Sequence, residues 1–321
     1  MINERPTMEA RYLMGTLVEI RLWAGQGEQT HEACKAAFAE IGRLQRLLSR
    51  FETTSELSRV NREAVDYPVQ VSREFIEVVT VAQEVSRISG GAFDVTCGPW
   101  VSLWDEMAQE QRFPTCRQWR ERKAKVGWEH IRMNPSEQTI QFGRPGVSLD
   151  LGAAGKGYAV DRAVAILQGF GIRSGLVDAG GNFKIFGFTE LLSAGIEDPL
   201  HPDRLLATVD LIHPAIASSS QGRRFHKVQG VPYGHVVDPR TGWPTHACVG
   251  STILAESALL ADCVSTALLV LGPQGGKLIE ILPVEGLFLK PLPFLQEELI
   301  LWVSKGLQDH LCIAKSSEVY Q

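Results

Sequence analysis

Segments of strand composition and segments of helical period follow one another along this chain without strict alternation. A Rossmann sheet is built from regular strand–helix–strand units. Their absence favours an α+β architecture, with mixed, largely antiparallel sheets packed with helices. Strand composition marks "LVEIRLW" (17–23) and the runs 147–151, 175–178, 183–187, 205–212, 233–238 and 250–256. Helical period marks 32–49, where Cys34, Phe38, Ile41, Leu44 and Leu48 share a face. The same period over 72–89 aligns Phe75, Val79, Ala82 and Val85, with Ser72 as N-cap. Further helices are expected from Lys156 and over 258–271. Between 102 and 141 the sequence turns polar and Trp-rich, which predicts a peripheral helix and loop at the edge of a subdomain. No repeat or low-complexity linker interrupts the chain, so 1–321 reads as a single module.

A chain of 321 residues can bury a substantial core. Hydrophobic content of 44% and charged content of 21% are ordinary for a globular enzyme. The net charge of −5 argues against a nucleic-acid partner, which calls for a basic face. No apolar run approaches about 18 residues, so no membrane span is expected. "MINERPTMEARYLMGT" lacks the basic start, apolar stretch and small-residue cleavage site of a signal peptide. The expected location is therefore cytoplasmic for the chain as given, or periplasmic if an export signal has been removed. Six cysteines are scattered with no CxxC pair, which predicts free thiols, several of them buried.

Five stretches place polar groups where chemistry could use them. "DLGAAGKGYAVDRA" (150–163) looks like a phosphate loop, but Lys156 follows Gly152 too early and is succeeded by Gly157 instead of Ser or Thr. "SGGAFDVTCGPWVSLW" (89–104) reads locally as a helix C-terminus at Gly90 and Gly91, then a strand and a turn. "LVDAGGNFKIFG" (176–187) reads as a hairpin or bulge, or as backbone approaching a ligand closely. "YGHVVDPRTGWPTH" (233–246) joins His235 to Asp-Pro and Thr-Gly turn chemistry.

The fifth is the most suggestive. "SALLADCVSTALLVLG" (257–272) has a body apolar except for Asp262, Ser265 and Thr266. Asp262 and Thr266 stand at i and i+4 and share a helix face. A charged Asp in such surroundings is expensive unless it is paired or binds a metal. Carboxylate and hydroxyl oxygens suit Mg²⁺ rather than zinc.

Taken in order, "MGTLVEI", "LSRFETTSELSRVN", "GGAFDVTCGPWVSLW", "LDLGAAGKGYAVDRA", "VDAGGNFKIFG", "GHVVDPRTGWP" and "ADCVSTALLVLG" resemble the FAD:protein FMN transferase (ApbE) family. They run from Met14 to Gly272 and cover most of the chain. The resemblance implies an enzyme that binds FAD, cuts its pyrophosphate and transfers FMN through its phosphate to a Thr or Ser hydroxyl of a target flavoprotein, releasing AMP. It also implies Mg²⁺, held by the Ala153 carbonyl, Asp262 and Thr266. FAD contacts are carried over to Met14, Phe51, Ala92, Phe93, Asp94, Asp150, Lys156 and His235. Read from sequence alone, Met14 and Phe51 fit a core role equally well. His235 is the candidate base for the incoming hydroxyl, because a neutral imidazole near pH 7 suits that task. Where the family often shows Thr-Ser-Gly, this chain has "ASSSQGRRF" (217–225), so no contact is carried over to Ser218–Ser220. Two other classes remain open: a Mg²⁺-dependent FAD pyrophosphatase releasing free FMN, and a flavin-binding protein without chemistry. A redox flavoenzyme is disfavoured by the lack of a GxGxxG fingerprint.

Overall fold

The computed structural model describes residues 6–24, 27–201, 203–222, 225–292, 295–314 and 319–320. Its centre is a nine-stranded sheet. In spatial order the strands are β1 (Thr7–Leu13), β2 (Thr16–Leu22), β6 (Gly175–Ala179), β7 (Asn182–Phe186), β10 (Ala215–Ser220), β13 (Gly250–Ala255), β14 (Val284–Leu292), β15 (Leu295–Val303) and β17 (Val319–Tyr320). Every pairing in it is antiparallel except β15 with β17. Three small sheets flank it. They are β3 (Val69–Gln70) with β5 (Thr139–Phe142) and β4 (Ile131–Asn134); β16 (Leu311–Ile313) with β9 (Leu205–Asp210) and β8 (Ser193–Glu197); and the hairpin β11 (Phe225–Val228)–β12 (Val231–Gly234). The helices are α1 (Glu28–Leu48), α2 (Glu56–Glu63), α3 (Arg73–Ile88), α4 (Gly98–Glu110), α5 (Cys116–Lys123), α6 (Gly155–Gly169), α7 (Ala258–Leu271) and α8 (Gly276–Ile281).

The central sheet is buried on both faces, and the strand period decides which side chain goes where. Ala215 and Ala217 of β10 and Ile253 and Ala255 of β13 join the core shared with α1, α3, α6 and α7. Ile216 and Leu254, one residue out of phase, join the core under β8 and β9. Local chemistry sets the element ends. Ser72 caps α3 by accepting from the Phe75 amide at 3.3 Å. Met14 and Gly15, with φ of 53° and 74°, form the tight turn between β1 and β2. Gly180 and Gly181, at φ 68° and 90°, do the same between β6 and β7, so the hairpin reading of that stretch holds. Cys34, Cys248 and Cys263 are buried free thiols, as the scattered spacing predicts.

Four expectations are corrected. The strand expected over 233–238 ends at Gly234, and beyond it only Val237 keeps an isolated bridge, to Pro244. The run 147–151 is not a strand. Its backbone bonds go elsewhere: Leu149 exchanges two with the Asn61 side chain, at 2.7 and 2.9 Å, and Asp150 donates to the Val95 carbonyl at 2.7 Å. No strand follows Gly91 either. The segment 102–141 is polar only in part, because Leu103, Trp104 and Met107 are fully buried while α5 buries nothing. These α4 residues form a third core with Trp100, Val228 and Val237. The stretch Ala258–Ile281 is long and apolar enough to cross a membrane, but 72% of its apolar window is buried inside the fold, the setting of a core helix.

Candidate functional site

The stretch 150–157 is a short turn that opens α6. Asp150 accepts from the Gly152 amide at 2.9 Å, which bends the chain. The small residues after it let backbone stand at the surface of the turn. Among the described residues no hydrogen bond ends on the Ala153 carbonyl. Lys156 curls back so that its ammonium donates to the Gly152 carbonyl at 3.3 Å and lies 3.7 Å from Asp262 Oδ1. The other oxygen of Asp262 accepts the Gly157 amide at 3.0 Å.

α7 brings Asp262 there because α6 and α7 cross with almost no space between them. A Cβ on Gly157 would lie 2.2 Å from the Ala258 carbonyl oxygen, so only glycine fits. Asp262 is 3% exposed, and Thr266 follows it one turn on, its hydroxyl bonded to the Asp262 carbonyl at 3.3 Å. Beside them comes the serine run of β10. Ser219 Oγ is 2.8 Å from Ser265 Oγ and 3.4 Å from Thr266 Oγ1. Sequence reasoning left Ser218–Ser220 without a place; pairing of β10 with β13, under α7, gives them one.

Asp150 also lines an open cleft of about 170 Å³ with Arg50, Phe51, Asn61, Ser102 and Ser148. Phe51 is 82% exposed, which removes the core reading for it, and the Arg50 guanidinium stacks on its ring at 4.6 Å. Arg50 also reaches Asp150 at 3.3 Å. Met14 keeps both aspects: it packs partly buried against the core, and its methyl faces Gly155. Ala92, Phe93 and Asp94 are buried, just before Val95, whose carbonyl accepts the Asp150 amide. Asp94 accepts from the Thr96 amide and hydroxyl and from the Trp128 amide. Burial pushes its carboxyl up to about 6 against the pull of those donors.

His235 follows β12 in a loop fastened at both ends. Gln221, just past β10, bonds the Val236 and Thr245 carbonyls at 3.2 Å each. The Trp100 and Trp104 indoles donate to the Pro239 and Gly242 carbonyls at 3.0 and 2.9 Å. Gly242 has φ 78°, and a Cβ there would strike the Trp100 ring. Thr245 of this loop also reaches α7, its hydroxyl donating to the Val270 carbonyl at 3.4 Å.

One path of contacts thus joins Asp150, Gly152, Lys156 and Asp262, with Thr266 and Ser219 around its end. The oxygens that the resemblance assigns to a metal are the Asp262 carboxylate, the Thr266 hydroxyl and, in the turn before Lys156, the Ala153 carbonyl. This hard-oxygen set fits Mg²⁺, which takes a few protein oxygens and completes its octahedron from water or phosphate. The lysine and the α6 N-terminus both favour an anion.

Comparison with known proteins follows the same outline. The sequence profile of the ApbE family matches residues 14–288. The chain belongs to the ApbE family. An FAD:protein FMN transferase of Klebsiella pneumoniae is 32% identical over 271 residues, 81% of this chain and 77% of that one. One from Escherichia coli K12 is 30% identical over 312 residues, 94% of this chain and 88% of that one. The crystal structure of the ApbE protein of Thermotoga maritima superposes with a TM-score of 0.83 at 25% identity, covering 94% of this chain and 98% of that one. The superposition shows the ApbE fold, and the largely antiparallel central sheet is not that of a Rossmann domain.

Sequence reasoning missed Arg50 and Ser219. Only Arg50 had a local signal, as the cation directly before an exposed aromatic. Ser219 becomes visible once β10 is packed under α7.

Proposed function

We propose that this ApbE protein is an FAD:protein FMN transferase that uses Mg²⁺ and passes FMN to a Thr or Ser hydroxyl of a target flavoprotein. The observation that carries the reading is Asp262: a buried carboxylate, one oxygen bonded to an α6 amide, the other facing Lys156, with Thr266 one turn away. A metal at such oxygens supplies charge neutralisation on the pyrophosphate.

The chain's own residues do the rest. Lys156 and the first turn of α6 bind the pyrophosphate and spread its charge. The Phe51–Asp150 cleft is smaller than the roughly 300–1,000 Å³ that drug-sized ligands fill, so it takes one part of the dinucleotide. The acceptor oxygen bonds to the FMN-side phosphorus, the P–O bond to AMP breaks, and AMP leaves with the electron pair. His235 accepts the hydroxyl proton. Little base assistance is needed for a loose transition state, so positioning dominates.

The test is to incubate the protein with FAD, Mg²⁺ and a candidate flavoprotein. A gain in acceptor mass equal to FMN minus water is expected. It should stop in EDTA, return with added Mg²⁺, and collapse in Asp262→Asn. Free FMN and AMP with no acceptor adduct would favour the pyrophosphatase reading. Full activity in EDTA, or in Asp262→Asn, would overturn the metal assignment.

A further inference from the structure

The contact between α6 and α7 is reciprocal. Asp262 of α7 accepts the Gly157 amide in the first turn of α6, at 3.0 Å. Asp161, one turn further along α6, accepts the first amides of α7: Ala258 at 3.1 Å and Leu259 at 3.0 Å. The Ser257 hydroxyl, at the N-cap of α7, donates to the same carboxylate at 2.8 Å. Lys184 of β7 completes the set, with its ammonium 2.8 Å from Asp161 and 2.8 Å from the Glu256 carbonyl. Four donors from two other elements thus converge on one half-buried carboxylate.

We propose that Asp161 is a positioning residue for the metal site. A helix start leaves amides without intrahelical partners, and a side chain of the same helix usually meets some of them. Here Ser257 bonds the Leu260 amide at 3.3 Å, while α6 supplies the carboxylate for the two amides before it. That choice ties the axial position of α7 to α6. Asp262 lies one turn past Ala258 in α7, and Ala153 sits in the turn that opens α6, two residues before its first residue, so the same tie sets where the Asp262 carboxylate stands relative to that turn. Gly157 makes the tie strict, because it lets the helices meet at backbone distance and leaves no slack for sliding. Neither Asp161 nor Ser257 touches the donor atoms. Their effect on a bound cation is through geometry, as with other groups that orient metal ligands.

The inference rests on the Mg²⁺ reading above, and the experiment separates the two. Mn²⁺, used as a spectroscopic substitute, is titrated into the FAD-loaded protein without acceptor and followed by electron paramagnetic resonance, beside a thermal melt. Asp161→Asn should weaken Mn²⁺ binding by roughly 10–100-fold. Val164→Ala, on the core face of the same helix, should lower the melting temperature and leave Mn²⁺ affinity at the wild-type value. Asp161→Glu, which keeps the charge on a longer arm, should recover part of the loss. If Asp161→Asn does not fold, Ser257→Ala replaces it, with a severalfold weakening expected. Wild-type Mn²⁺ affinity in the folded Asp161 or Ser257 variants would overturn this inference alone, as would equal weakening in Val164→Ala. No Mn²⁺ binding by the wild-type protein would overturn the metal reading itself.

Discussion

Gly157 and Asp262 meet across the crossing of α6 and α7: the Gly157 amide donates to Asp262 Oδ2 at 3.0 Å, from 105 positions away in sequence. An amide of a helix's first turn has no partner within its own helix, so a carboxylate from a neighbouring helix stabilises it and is itself stabilised as an anion. The bond leaves Oδ1 of Asp262 directed at Lys156. One contact therefore fixes the helix pair and orients the proposed metal ligand.

Gly157→Ala should break that relationship. Its added methyl would lie 2.2 Å from a backbone oxygen, which cannot rotate away. Overpacking of this kind costs about 1–3 kcal/mol or more. A lowered melting temperature together with lost FMN transfer is expected. A variant that melts and transfers like the parent would show that the helices do not approach so closely.

Lys156→Ala should weaken FAD binding by roughly one to two decades, the worth of a charge-assisted contact, with little change in the thermal melt. Fluorescence titration of FAD measures it. Unchanged affinity would return Lys156 to a role in balancing the Asp262 charge.

His235→Ala should lower the rate of FMN transfer more than it lowers FAD affinity, since a base acts on the incoming hydroxyl. General bases contribute on the order of 10²–10⁴ in rate, and a loose transition state places this case at the low end. Transfer at the parental rate would leave His235 as a residue of its loop only.

Asp94 predicts a pH dependence of stability. Burial raises its carboxyl from the ordinary 3.8 to about 6, so the folded state holds the proton more tightly than the unfolded one. The stability it contributes is full below about pH 4 and is lost as pH rises through about 6. Urea unfolding of the wild type and of Asp94→Asn between pH 4 and 7 should show the wild type losing stability relative to the non-titrating variant as pH rises over that window. A wild type that gains stability relative to the variant with rising pH would mean that Thr96 and Trp128 stabilise the anion more than burial opposes it.

What the sequence settled by itself is what neighbouring residues decide. Ser72 caps α3 because cap and amide are three residues apart. The Gly180–Gly181 turn follows from glycine's freedom at positive φ. The i, i+4 spacing of Asp262 and Thr266 on an apolar helix signalled that a carboxylate would be buried with a purpose. The order of the seven stretches was enough to point to the family. Tertiary structure alone decided where the free hydrogen-bonding groups go. The 147–151 run has strand composition, yet Asn61 and Val95 take its backbone bonds first, so no neighbouring strand pairs with it. Trp104 stands in a polar segment, yet it is buried against Tyr233 and Trp243, which the chain supplies more than a hundred residues later. Asp161 reads as an ordinary surface position of an amphipathic helix until α7 arrives with unpartnered amides. Local patterns report propensity over a few residues, whereas such contacts exist only after the core has packed and brought distant segments within bonding distance.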